Sequence, residues 1–126
     1  MSLPEAKRVR PVITKTFQFG PLAEDVGYKS VTIRELTHED ERRAMAHATT
    51  EPAEMLISMA QRAVVEAVTV DGAAVQISYN DATIDEFWAR IGPRGRSLVL
   101  QAAQRVNSPA KEETDAFLRS VETQVG

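Results

Sequence analysis

Residues 64–79, VVEAVTVDGAAVQISY, set alternating apolar residues on both sides of an Asp71-Gly72 pair. That dipeptide favours a two-residue hairpin turn, because the central residues of such a turn take positive φ. Folding the chain there opposes Val70 to Ala73, Val68 to Val75, Glu66 to Ile77 and Val64 to Tyr79. Nearly all the large apolar residues then share one face, and Thr69, Gln76 and Ser78 take the other. Glu66 alone breaks the pattern, so the strand is expected to start after it and the preceding helix to run to about Ala67.

A second pair of strands precedes this one. Val12–Phe19 alternates and is rich in β-branched and aromatic residues, with Ile13, Phe17 and Phe19 on one face. Tyr28–Arg34 alternates again, Val31 and Ile33 opposing Ser30, Thr32 and Arg34, and the Gly, Pro and Asp of Gly20–Gly27 make a long loop between them. At Thr37 the period changes, because a hydroxyl ahead of Glu39, Asp40 and Glu41 is an N-cap followed by acids that complement the helix dipole. A polar helix to about Ala48 follows.

From Pro52, residues Leu56, Met59, Ala60, Ala63 and Val64 recur at helical spacing. Thr83 and Glu86 have capping-box spacing, and Ile84, Phe87, Trp88 and Ile91 form an apolar stripe that stops at Gly92-Pro93. Val99, Ala102, Ala103 and Val106 mark another helix. Ser108-Pro109 starts a last one bearing Thr114, Phe117, Leu118 and Val121. The expected fold is α+β: an N-terminal β-hairpin and a short second hairpin packed with a mostly helical C-terminal half.

The chain's 126 residues suit one domain able to bury a core without staples. A basic arm, residues 1–11 with Lys7, Arg8 and Arg10, is expected to be flexible, and residues 12–126 to form the single domain. The absence of cysteine removes disulfides, thiolate nucleophiles and sulfur-ligated zinc, and fits a reducing compartment. Neither a signal-peptide run nor a membrane-spanning apolar stretch is present in the sequence, so the cytoplasm is the expected location. A net charge of -3 argues against binding to nucleic acid, whose ligands usually carry a basic excess.

Catalytic and metal signatures are missing. His38 and His47 are nine residues apart, about two and a half helical turns, and so lie on opposite sides of one helix, where they cannot chelate together. The serines have no nucleophile elbow, and no glycine loop has phosphate-cradle spacing. The acidic pairs mostly sit at helix starts, where the dipole accounts for them. No enzyme activity and no cofactor is therefore expected.

One segment departs from ordinary helix chemistry. In Gly92-Pro93-Arg94-Gly95-Arg96 two arginines fall in the first turn of a helix, whose positive end disfavours them. Either acids of a neighbouring element, Asp85 or Glu86 among them, pair with the arginines, or Arg94 and Arg96 form a fork for an acidic partner. Trp88 poses the same choice between core residue and interface anchor. Arg94, Arg96 and Trp88 are the candidate partner-binding residues.

Taken in order, the early strands ending V-T-I-R-E-L-T, the V-D-G-A-A-V turn, the block F-W-A-R-I-G-P-R-G-R-S-L-V and the tail N-S-P-A-K-E-E-T-D-A-F-L-R-S resemble the tail assembly chaperones of long-tailed bacteriophages. The resemblance spans about Ile13 to Ser120. It implies a non-enzymatic phage or prophage protein of the bacterial cytoplasm that shields apolar helical stretches of the tape-measure protein during tail assembly. The implied partners are the tape-measure protein, the tail tube protein and further copies of the chain, with no nucleic acid and no membrane. The competing reading is a small regulatory or nucleic-acid-binding protein whose helix presents Arg94, Arg96 and Arg105.

Overall fold

A computed structural model describes residues 12–47 and 51–125; the basic arm, residues 1–11, lies outside the described residues. The element order is β1 (Thr14–Gln18), a 3-10 turn (Gly20–Leu22), α1 (Ala23–Val26), β2 (Tyr28–Arg34), α2 (His38–His47), α3 (Pro52–Ala63), β3 (Val64–Thr69), β4 (Ala74–Gln76), α4 (Ala82–Val106) and α5 (Lys111–Val125). The α+β class follows as expected. The two hairpins do not stand apart, however, because β2 pairs antiparallel with β3 and joins them into one four-stranded sheet of order β1-β2-β3-β4.

The first hairpin pairs Thr14 with Arg34 and Phe17 with Val31. Val31 and Ile33 are buried as their alternation requires, with Phe19 beside them and Phe17 half-buried. Ile13, expected on the same face, is instead exposed at the open end of the hairpin. The residues between the strands are not an open loop. They form the 3-10 turn and α1, bury Val26 and reverse at Gly27 (φ 86).

The second hairpin differs from its expected register by one residue. Its pairs are Glu66 with Gln76, Ala67 with Val75 and Val68 with Ala74. Gly72 N–H donates to Thr69 O (2.9 Å) and Thr69 N–H to Ala73 O (2.8 Å), which closes a three-residue loop. Gly72 takes φ 96 while Asp71 does not have positive φ, so the loop is a turn followed by a left-handed glycine rather than the mirror-image two-residue turn. Since side chains alternate along a strand, this slip exchanges faces. Ala67 turns to the core, where Val75 packs as expected, and Glu66 accepts from Gln76 Nε2 (2.6 Å) on the exposed side. Glu66 was therefore no anomaly: α3 ends at Ala63 and the strand begins at Val64, not after Glu66.

The core lies between the sheet and α4. Ile84, Phe87, Ile91, Val99, Ala102, Ala103 and Val106 of α4 meet Tyr28, Val31, Ile33 and Val64 of the strands, and α3 adds Ala60 and Ala63. Phe87, 1% exposed, lies 5.1 Å from the Tyr28 ring at a tilt of 56°, a favourable aromatic geometry. The end of α4 is clipped to β2 by Asn107, which accepts from Leu36 N–H (2.7 Å) and donates to Arg34 O (3.4 Å) and Ala103 O (2.9 Å).

The helix starts bear out some of the expected caps and correct others. Thr37 Oγ1 accepts from Asp40 N–H (3.1 Å), and Asp40 Oδ2 accepts from Thr37 N–H (3.0 Å), a reciprocal cap. The cap of α4 is Asp81, which accepts from Thr83 N–H (2.9 Å), rather than a Thr83-Glu86 box. Thr83 Oγ1 turns back instead to accept from Ser78 N–H (2.9 Å). The last helix starts beyond Ser108-Pro109, where Glu113 accepts from Ala110 N–H (2.8 Å).

Candidate functional site

The helix break at Gly92-Pro93 is a kink within α4, with Gly92 at φ 68 and ψ -178. All five residues of the G-P-R-G-R segment have work within the fold. Gly92 takes a conformation that L residues rarely adopt, and Pro93 is preset for a new helical start. A Cβ on Gly95 would lie 2.7 Å from Ile91 Cβ and 3.1 Å from Val26 Cγ1, so only glycine lets the helical segment after the kink pack this closely against Ile91 and α1.

The two arginines are separated rather than forked. Arg94 Nη2 donates to Asp25 Oδ2 of α1 (2.8 Å) through a single oxygen, and its side chain stays 72% exposed. Arg96 is half-buried, and its Nε donates to the Trp88 carbonyl (2.8 Å) in the last turn before the kink. The positive end of the second helical segment is thus offset by an acid of α1 and by a carbonyl at the negative end of the first segment. The pairing acid is Asp25, not Asp85 or Glu86. Arg105 is exposed and stands eleven residues beyond Arg94, about 16 Å along the helix at 1.5 Å per residue. Trp88 is half-buried against the core.

The exposed surface has a second feature. Phe117 and Leu118 of α5 are 67% and 51% exposed, and residues 111–120 carry no buried position. Phe117 and Leu118 of the apolar stripe therefore face outward. At its start α5 stands over an open cleft of about 1,020 Å³, walled by Ile13 and Lys15 of the sheet edge, Gln101 and Arg105 of α4, and Lys111 and Glu113 of α5. Beside it a smaller, more apolar groove of about 320 Å³ runs between Phe17 and Leu98. Sequence periodicity registers the stripe, but whether such a stripe is covered is decided by where the helix goes, and that has no local signal.

Among the described residues no three His, Cys, Asp or Glu side chains gather as metal ligands, and no helix is long and apolar enough to cross a membrane. His38 is exposed on α2. Two carboxylates of the described residues have a lowered pKa: at Asp40 burial pushes it up, but hydrogen bonds from Arg34 and from the Thr37 amide and hydroxyl, with the Arg34 charge, outweigh burial and hold it below its ordinary value, and at Asp81 hydrogen bonds from the Thr83 hydroxyl and amide do the same. No protein-family model, curated protein or solved structure matches the chain.

Proposed function

We propose that this protein is a non-enzymatic tail assembly chaperone that binds apolar helical stretches of a phage tape-measure protein and shields them in the bacterial cytoplasm before the tail tube polymerises. The observation that supports the reading is α5, an amphipathic helix whose Phe117 and Leu118 are largely exposed. An apolar helix face of this kind pairs readily with an apolar stripe on another helix, reading it at i, i+3, i+4 and i+7. The cleft at the start of α5 and the neighbouring groove between β1 and α4 offer further open surface on the same side as Arg105, which lines both. Arg94, just after the kink in the middle of α4, remains largely exposed, whereas Arg96 is engaged with the Trp88 carbonyl, so Arg94 is the arginine proposed to reach an acidic group of the partner.

Co-expression with the tape-measure protein and capture through a tag on this chain tests the reading. Capture is expected with the wild type and is expected to fail with a Phe117→Ser, Leu118→Ser double variant, whose substitutions lie outside the core. Tight, salt-sensitive DNA binding with no tape-measure capture would replace this reading with the nucleic-acid one.

A further inference from the structure

Arg62, in the last turn of α3, is 8% exposed and is the one charged side chain buried among the described residues. A guanidinium cannot shed its charge at accessible pH, and a buried charge is ordinarily paired. Arg62 has no such pair. Among the described residues no carboxylate pairs with it, its Nε is buried without a hydrogen-bond partner, and its guanidinium carbon stacks 4.1 Å from the centroid of the Tyr79 ring. An aromatic face offsets only part of the desolvation of a cation.

Beside it opens a pocket of about 190 Å³ whose walls include Arg34, Asp40, Arg43, Arg62, Tyr79 and Asn80. Three arginines and a single acid thus line the pocket, and that acid is already committed. Asp40 Oδ2 accepts from Arg34 Nη1 (2.9 Å) and from the Thr37 amide and hydroxyl (both 3.0 Å). Arg43 is held on the outer side by Glu39 (2.9 Å). The pocket is smaller than the roughly 300–1,000 Å³ that takes a drug-sized ligand, so it suits a single compact group.

We propose that this pocket binds a small oxyanion, a phosphate or carboxylate group, with Arg62 as its principal partner and Arg34 and Arg43 as the flanking cations. Arginine suits that role because its planar donors match the oxygens of either group. The site is separate from the α5 surface and does not depend on the chaperone reading.

Thermal melts of the full chain in inorganic phosphate, in acetate and in sodium chloride at matched ionic strength test it. A saturable rise in Tm is expected, roughly 5 °C at about ten times Kd, in wild type and not in Arg62→Met. General exclusion of phosphate from the surface would instead stabilise both proteins alike and without saturation. A rise with phosphate alone identifies a phosphate site, and an equal rise with acetate identifies a carboxylate site. No rise above chloride, or the same rise in Arg62→Met, overturns the proposal. Should Arg62→Met fail to fold, Arg43→Gln on the exposed face of α2 serves: the half-effect concentration is expected to rise about tenfold, and an unchanged value overturns the proposal.

Discussion

At the scale of single residues, position in the core separates side chains that look alike in the sequence. Phe87 and Trp88 belong to one apolar stripe, yet Phe87 is enclosed against Tyr28 while Trp88 keeps a solvent-facing side. Phe87→Ala is expected to cost about 3–5 kcal/mol, the usual range for a buried aromatic, and Trp88→Ala clearly less, as denaturant melts of the two variants would show. The arginines divide in the same way. Arg94→Gln removes an exposed ion pair and is expected to change stability by less than about 1 kcal/mol. Arg96→Gln removes a half-buried charged donor from a helix carbonyl and is expected to cost about 1.5 kcal/mol or more. Equal melting temperatures for the two would refute the distinction. Asp40 adds a pH signature. Its pKa is lowered from 3.8 in the folded chain, so its contribution is fully present above that value and is lost as pH falls through the folded pKa. Asp40→Asn should therefore be less stable than wild type at neutral pH, with the gap closing in acid below about pH 4; a gap constant with pH would dismiss the Asp40 pairing.

At the scale of elements, two glycines carry opposite kinds of constraint. Gly72 has open space around it but a φ of 96, whereas Gly95 has no unusual φ but meets Ile91 and Val26. Gly72→Ala is expected to cost about 1–2 kcal/mol through backbone strain alone. Gly95→Ala is expected to cost about 1–3 kcal/mol through overpacking. A larger residue at position 72 should add little to the alanine cost, while at position 95 the cost should climb with side-chain volume; a series of melts at both positions checks this. The second hairpin also shows why a turn dipeptide does not fix register. Asp71-Gly72 marks the turn correctly, but the dipeptide is compatible with a two-residue turn and with a three-residue loop. The choice turns on which face of β3 meets the core. Ala67 fits beneath α4 and Val75 packs beside it, and Glu66 can then pair with Gln76 in solvent.

At the scale of the whole molecule, the sheet, α3 and α4 form one body, and α5 is an addition to it. None of the described side chains of α5, residues 111–120, belongs to the core. A chain ending after Ala110 is therefore expected to keep its cooperative melt within a few degrees of the full-length protein. On the chaperone reading the same chain should lose tape-measure capture. A truncated protein that fails to fold would show that α5 supports the body.

The kinds of elements, most of their limits and the α+β class were legible in the sequence, because caps, helical spacing and strand alternation are imposed by neighbours a few residues away. Thr37 with Asp40, the Gly92-Pro93 break and the stripe of Ile84, Phe87 and Ile91 are all signals of that range. Long-range packing decided the rest. Only the pairing of β2 with β3 makes one sheet of two hairpins, only the approach of α1 gives Arg94 its acid, and only the kink brings Arg96 to the Trp88 carbonyl. The burial of Arg62 beside Tyr79 and the exposure of Phe117 likewise depend on which elements meet, since a side chain's environment is made by residues that its own stretch of sequence does not contain.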